Sequence, residues 1–271
     1  MSDAFFAFTL TLLAGLATGL GGVIALMSKR TNKRFLAVCL SLSAGVMLYI
    51  AFAEILLGAV DALEEVSEHG YLIATAAFFG GILLIALIDK FIPHDDEAND
   101  LMDTRLPEEA QAGKNEKELK RTGVMSAIAI SIHNFPEGLV TFMAAMHDPT
   151  LGVVIAVAIA IHNIPEGIAM AAPIYYATGS RWKAMTVAIG SGLTEPLGAL
   201  LAWLLLQNIF GDIEGMFGIV YALVGGIMVF VAIHQLLPAA QKYGEHHLVM
   251  KWFFVGMAVM AISLVALEYA F

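Results

Sequence analysis

The residues with chemistry in them come as two six-residue words, His133-Asn134-Phe135-Pro136-Glu137-Gly138 and His162-Asn163-Ile164-Pro165-Glu166-Gly167. In each word the histidine and the glutamate are four positions apart, so on a helix both project from one face, about 6 Å of rise apart. An imidazole nitrogen beside a carboxylate is a metal-ligand pair. A further acid, Glu195, follows Gly192-Leu193-Thr194 at a similar depth in another apolar run. The candidate ligands are therefore His133, Asn134, Glu137, His162, Asn163, Glu166 and Glu195. Isolated carboxylates in hydrocarbon cost several kcal/mol each or take up protons, so three glutamates and two neutral imidazoles need a cation. Nitrogen with carboxylate suits Zn²⁺ first, with Fe²⁺, Co²⁺ and Mn²⁺ close behind. Calcium takes all-oxygen cages and copper(I) takes sulfur. Hydrogen bonds in a polar seam explain most lone intramembrane His or Asn residues, but not two identical words and a third glutamate at one depth. A proline one residue before each motif glutamate frees the carbonyls of Ile132 and Ile161, which predicts a broken helix at each word.

Such groups need elements to hold them, and the composition says which kind. Of 271 residues, 59% are hydrophobic and 14% charged, with mean hydropathy +0.79, against about 25% charged in soluble domains. The reading is an all-α integral membrane protein. Runs of about 20 apolar residues, the length of a helical span, occur at 4–27, 35–58, 71–92, 123–146, 151–174, 184–206, 216–238 and 250–271. This divides the chain into 1–92 (transmembrane helices 1–3), 93–122 (a cytoplasmic loop), 123–174 (helices 4–5 with the metal site) and 175–271 (helices 6–8). All 14 Lys and Arg fall in or beside the connections after spans one, three, five and seven. By the positive-inside rule these four connections are cytoplasmic and both termini are outside.

Other features are quieter. A net charge of −10 with no clustered basic face excludes nucleic acid as a partner. The N-terminal apolar run has no basic stretch ahead of it and no evident cleavage site, so it is kept as a true span. Cys39, the single cysteine, reads as a packed or lipid-facing thiol, and the methionines as packing. No Gly-Lys-Ser/Thr phosphate loop is present, so no ATP-driven engine is visible. His94-Asp95-Asp96 in the long loop reads as solvated polymer. Glu54, near the outer end of span two, and His234, near the inner end of span seven, sit where gates would, or where interfacial residues reach water.

Repeats organise the spans. Ala127–Gly138 aligns with Ala156–Gly167 at an offset of 29, on spans that cross in opposite directions. That relates the words by a pseudo-two-fold axis in the membrane plane. A weaker inverted repeat relates helices 1–3 to helices 6–8 around the antiparallel pair 4/5. Gly45–Ala51 reads against Gly226–Ala232 at an offset of 181, and Ala14–Gly22 against Ser191–Ala199 at 177. Thr18 then corresponds to Glu195 and Glu54 to Gln235.

The doubled His-Asn-x-Pro-Glu-Gly word with Gly192-Leu193-Thr194-Glu195 resembles the ZIP metal transporters, and specifically their bacterial branch, over essentially the whole chain. The resemblance implies uptake of a divalent metal, zinc first and also iron, manganese, cobalt or cadmium, in the bacterial inner membrane. The ion is substrate, not cofactor, and the chain is no enzyme. The partners implied are the ion and the lipid bilayer, with a homodimer left open. It further implies a binuclear site: His133, Glu137, His162 and Glu166 on one metal, and Asn134, Asn163, Glu195 and the shared Glu137 and Glu166 on a second. Some relatives carry Gln-Asp where this chain has His162-Asn163, which makes the first position here more strongly coordinating and the second less acidic. Many also have acids near the Leu-Pro that ends span seven, where this chain has His234-Gln235. In the family picture helices 1, 4, 5 and 6 carry the metal past a wall of 2, 3, 7 and 8. An intramembrane zinc hydrolase is the alternative, weakened by the absence of His-Glu-x-x-His and by the near-duplicated ligands.

Overall fold

In hydrocarbon a backbone must satisfy its amides internally, and runs of about 20 apolar residues without strand-like alternation do so as helix. A computed structural model of the chain describes residues 2–27, 33–91, 134–208 and 213–269, and helix is its only regular structure there. The helices are α1 (Ser2–Met27), α2 (Lys33–Ile50), α3 (Leu57–Val66), α4 (Gly70–Phe91), α5 (134–147), α6 (Pro149–Thr178), α7 (Arg181–Gly192), α8 (Thr194–Asn208), α9 (Ile213–Val231), α10 (Leu237–Tyr243) and α11 (His246–Glu268). Single π-helical turns, Ala51–Leu56 and Ala232–Leu236, join α2 to α3 and α9 to α10. Seven of the described helical stretches are long and apolar enough to cross a membrane, and α5 is the described part of the eighth run. The expected loop 93–122 and His133 lie outside the described residues.

Local signals account for the turns. Asp148 alone separates α5 from α6; its carboxylate accepts from the Leu151 amide at 2.8 Å, and Pro149 follows at the first helical position. The α6 helix ends on Gly179 at φ 62°, a left-handed cap that suits glycine, and Ser180 caps α7. The predicted break is absent at the second word, where α6 runs on past Pro165; at the first word the carbonyl that Pro136 frees, Ile132, lies outside the described residues. The chain breaks instead at Leu193, between α7 and α8 and just ahead of Glu195-Pro196. A proline removes one helical bond, and whether the helix then parts depends on what stands beside the freed carbonyl. For Pro196 that is Gly192, whose carbonyl lies against Gly15 of α1.

Backbone approaches at glycine carry the repeat. A side chain on Gly15 would collide with the Gly192 carbonyl, and one on Gly192 with the Gly15 carbonyl. Gly167 lies on the Thr18 carbonyl as Gly138 lies on that of Glu195, and Gly21 meets Ile164 as Gly198 meets Phe135. Among the other helices Gly45 meets Phe253 as Gly226 meets Phe78, and Gly256 meets Leu42 as Gly81 meets Leu223. The pairs of the first set are partners under the offsets of 29 and 177; in the second set the offset of 181 relates Gly45 to Gly226 and Leu42 to Leu223, while Phe78 and Gly81 relate to Phe253 and Gly256 at 175. The two π-helical turns are equivalent in the same way.

These approaches also sort the helices. Contacts of α1 are chiefly with α6, α7 and α8, while α2 packs on α11 and α9 on α3 and α4. The close glycine approaches between helices stay inside one group or the other: α1, α5, α6, α7 and α8, or α2, α3, α4, α9, α10 and α11. Between the groups α2 packs on α6, and Met47, Ile50, Ile155 and Ile159 belong to one buried apolar core.

Candidate metal centre

Because His162 and Glu166 are one helical turn apart on α6, and Glu137 stands on the antiparallel α5, three ligand groups meet at one level. Glu137, His162 and Glu166 each bring an atom within 4.8 Å of the other two, and all three are buried. The Nε2 atom of His162 lies 3.0 Å from Oε1 of Glu137, joining the two words across the helix pair. Next to His162, the Asn163 amide donates to Oε1 of Glu195 at 2.6 Å and to the Ala14 carbonyl at 2.9 Å. The Asn134 amide donates to Oγ of Ser191 at 3.2 Å. Residues of α1, α5, α6, α7 and α8 thus interlock at one depth.

What remains unmatched is informative. Oε2 of Glu137, Nδ1 of His162, Oδ1 of Asn163 and Oε2 of Glu195 are buried without a hydrogen-bond partner. Either ring nitrogen of His162 can carry the proton, and with Nε2 deprotonated that atom faces the glutamates as a ligand. The three oxygens are acceptors in a place closed to solvent, and buried acceptors left unmatched cost free energy. A divalent cation is the complement such a set can hold. Thr18 Oγ1, the counterpart of Glu195, is also buried and unpartnered.

Of the predicted residues, Asn134, Glu137, His162, Asn163, Glu166 and Glu195 are therefore brought together, while His133 lies outside the described residues. Glu54 and His234 are set apart from the cluster, one in each π-helical turn. Two participants escaped the sequence reading, Ser191 and the Ala14 carbonyl, and so did Asp89, which stands apart from the cluster with His234 and Gln235. Asp89 is 6% exposed and accepts from the Gln235 amide at 3.1 Å; Nδ1 of His234 stands 3.7 Å from its other oxygen. An acid inside the apolar run 71–92 was the available signal.

The fold and site define a multi-span, all-α membrane protein with a buried His/Glu/Asn cluster between antiparallel, repeat-related helices. Residues 93–264 match the family described as ZIP Zinc transporter. The chain belongs to that family, one of transporters rather than enzymes. It is 53% identical to "Zinc transporter ZupT" of Lysinibacillus sphaericus, covering 98% of each chain. Against the protein of that name from Chlorobaculum parvum it is 52% identical over 97% of this chain and 98% of the relative. For the one from Oceanobacillus iheyensis the figures are 49%, 98% and 100%.

Proposed function

We propose that this chain moves a divalent metal ion, zinc first, across the bacterial inner membrane into the cytoplasm through the cluster around His162. The observation that carries the reading is the buried group of Glu137, His162 and Glu166, whose ligand atoms lie within 4.8 Å of one another, beside unmatched acceptor oxygens on Glu137, Asn163 and Glu195. Relatives about half identical and named as zinc transporters support the choice of ion. In this reading Glu137, His162 and Glu166, with His133, hold one ion. Asn134, Asn163 and Glu195, with the two motif glutamates, hold a second.

Passage works by relative movement of the two helix groups. Glycine approaches lock each group internally, whereas an apolar side-chain layer lies between them, and such a layer can slide without breaking backbone contacts. A polar contact that crosses it, Ser43 Oγ to the His162 carbonyl, is 3.5 Å long, at the weak limit of a hydrogen bond. With the basic connections inside, an inside-negative potential of 100 mV favours inward passage of a divalent ion by about 4.6 kcal/mol, so no nucleotide is required.

The test is zinc flux into liposomes carrying purified protein under an imposed inside-negative potential. Wild type is expected to accumulate zinc, and His133→Ala/His162→Ala, at matched folded amounts, to fall to the level of empty liposomes. Wild type that binds zinc and moves none overturns the transport reading.

A further inference from the structure

Away from the metal centre, a groove of about 520 Å³ opens between the starts of α2 and α11, lined by Arg34, Phe35, Val38, Leu248, Lys251 and Trp252. The two helices cross where Gly45 meets Phe253 and Gly256 meets Leu42. The groove lies back toward each helix start, about two turns from the crossing on α2 and about one turn on α11. On α2 its lining is spaced i, i+1, i+4, and on α11 i, i+3, i+4, which is one face of each helix.

The chemistry of that face is specific. Four apolar side chains form its floor, and a cation comes from each helix. Arg34 and Lys251 are both exposed, and Phe35 is 44% exposed. The α2 helix follows Lys29 and Arg30 and begins on Lys33, and α11 follows Lys242 and Glu245, so on the charge reading of the sequence both helix starts, and the groove, lie on the basic side where the apolar spans meet the polar boundary. Tryptophan at that level, half-buried as Trp252 is, suits a ring with one side in acyl chains and the other near headgroups. A volume in the range of small-ligand sites, about 300–1,000 Å³, takes a headgroup and the upper part of its chains.

We propose that this groove binds an anionic phospholipid, its phosphate between Arg34 and Lys251 and an acyl chain along Phe35, Val38, Leu248 and Trp252. A free inorganic anion would leave the apolar floor unused, and a zwitterionic lipid would bring its own cation against the two basic groups. Lipid and protein already share this boundary in a chain that crosses the membrane. The site belongs to the helix group opposite the metal centre, so a bound lipid would tether that group to one leaflet.

Native mass spectrometry of the full-length protein in detergent tests it, with phosphatidylglycerol and phosphatidylcholine added at matched concentration. Wild type is expected to retain phosphatidylglycerol about thirtyfold over phosphatidylcholine, the scale set by two interfacial cations. Arg34→Gln/Lys251→Gln should abolish the preference, while Arg181→Gln/Lys183→Gln, a basic pair elsewhere on the same side, should keep it. Equal retention of the two lipids by wild type overturns the proposal. So does an equal loss in both double variants, which would mean diffuse charge, and so does displacement of phosphatidylglycerol by millimolar inorganic phosphate. A second measurement spares the basic pair: in Trp182→Phe/Trp203→Phe protein, acyl-brominated phosphatidylglycerol should quench Trp252 fluorescence more than brominated phosphatidylcholine does. Equal quenching counts against the site.

Discussion

At the scale of single residues, Asn163 shows how the centre is balanced without its ion. Its amide gives one hydrogen bond to the Glu195 carboxylate at 2.6 Å and another to the Ala14 carbonyl. Asn163→Asp would remove both donors and set two carboxylates face to face in a buried place, where like charges are costly. Metal-free protein should then unfold at a lower temperature than wild type, and added zinc should raise the unfolding temperature more in the variant than in wild type. Thermal unfolding followed by size exclusion, in chelator and in zinc, checks this; an unchanged metal-free protein would place the amide outside the balance. Glu137 and Glu166 carry more of the site. In the two-ion reading each touches both ions, so Glu137→Ala and Glu166→Ala should each bring zinc flux to the empty-liposome level, with affinity lowered about tenfold or more, the equivalent of about 1.4 kcal/mol. Folded variants that still take up zinc would show the glutamates to be dispensable. Glu54, set apart in its π-helical turn, should slow uptake as Glu54→Ala and leave equilibrium zinc binding intact.

At the scale of helices, stability turns on a few backbone approaches. Gly15 and Gly192 meet backbone to backbone, so Gly15→Ala must push α1 from α7, a strain of about 1–3 kcal/mol. Gly80 and Gly190 have nothing within 4 Å of where a side chain would begin. Gly80→Ala and Gly190→Ala should therefore be neutral, or stabilising by about 0.5–1 kcal/mol through helix propensity. Denaturant unfolding in detergent separates the cases, and a Gly15→Ala protein as stable as Gly190→Ala would contradict the close approach. The same scale shows what was legible beforehand. Spacing four apart, doubled at an offset of 29, was enough to bring Glu137 opposite His162, because helix geometry and antiparallel crossing leave little choice. Span positions followed from hydrophobicity alone, yet α6 runs on to Thr178 and α10 to Tyr243, since a helix need not stop at the edge of an apolar run. The break at Leu193 could not be read, because it depends on which neighbouring backbone stands beside a freed carbonyl, and the π-helical turn Ala51–Leu56 has no proline or other local signal. Ser191 and Asp89 were missed for a related reason: one hydroxyl or one carboxylate in an apolar run gains meaning only from the side chain that faces it.

At the scale of the whole molecule, the topology rests on which side the basic connections face. The α6 helix has 30 residues, about 45 Å at helical rise, which matches a bilayer with its headgroup regions. Its two ends must therefore open to opposite sides. Thr150 at one end and Lys183 just beyond the other are both exposed, and Cys39, the free cysteine, is buried. In a Cys39→Ser background, Thr150→Cys should react with a membrane-impermeant maleimide in intact cells, and Lys183→Cys only after permeabilisation. The reverse pattern would turn the molecule over and put the basic connections outside. The membrane potential would still draw zinc inward, but the lipid groove would then face the outer leaflet. The labelling experiment therefore decides the topology independently of any flux measurement. With the expected pattern, reversing the imposed potential in oriented liposomes should slow zinc accumulation, because the same 4.6 kcal/mol or so per ion at 100 mV then opposes it.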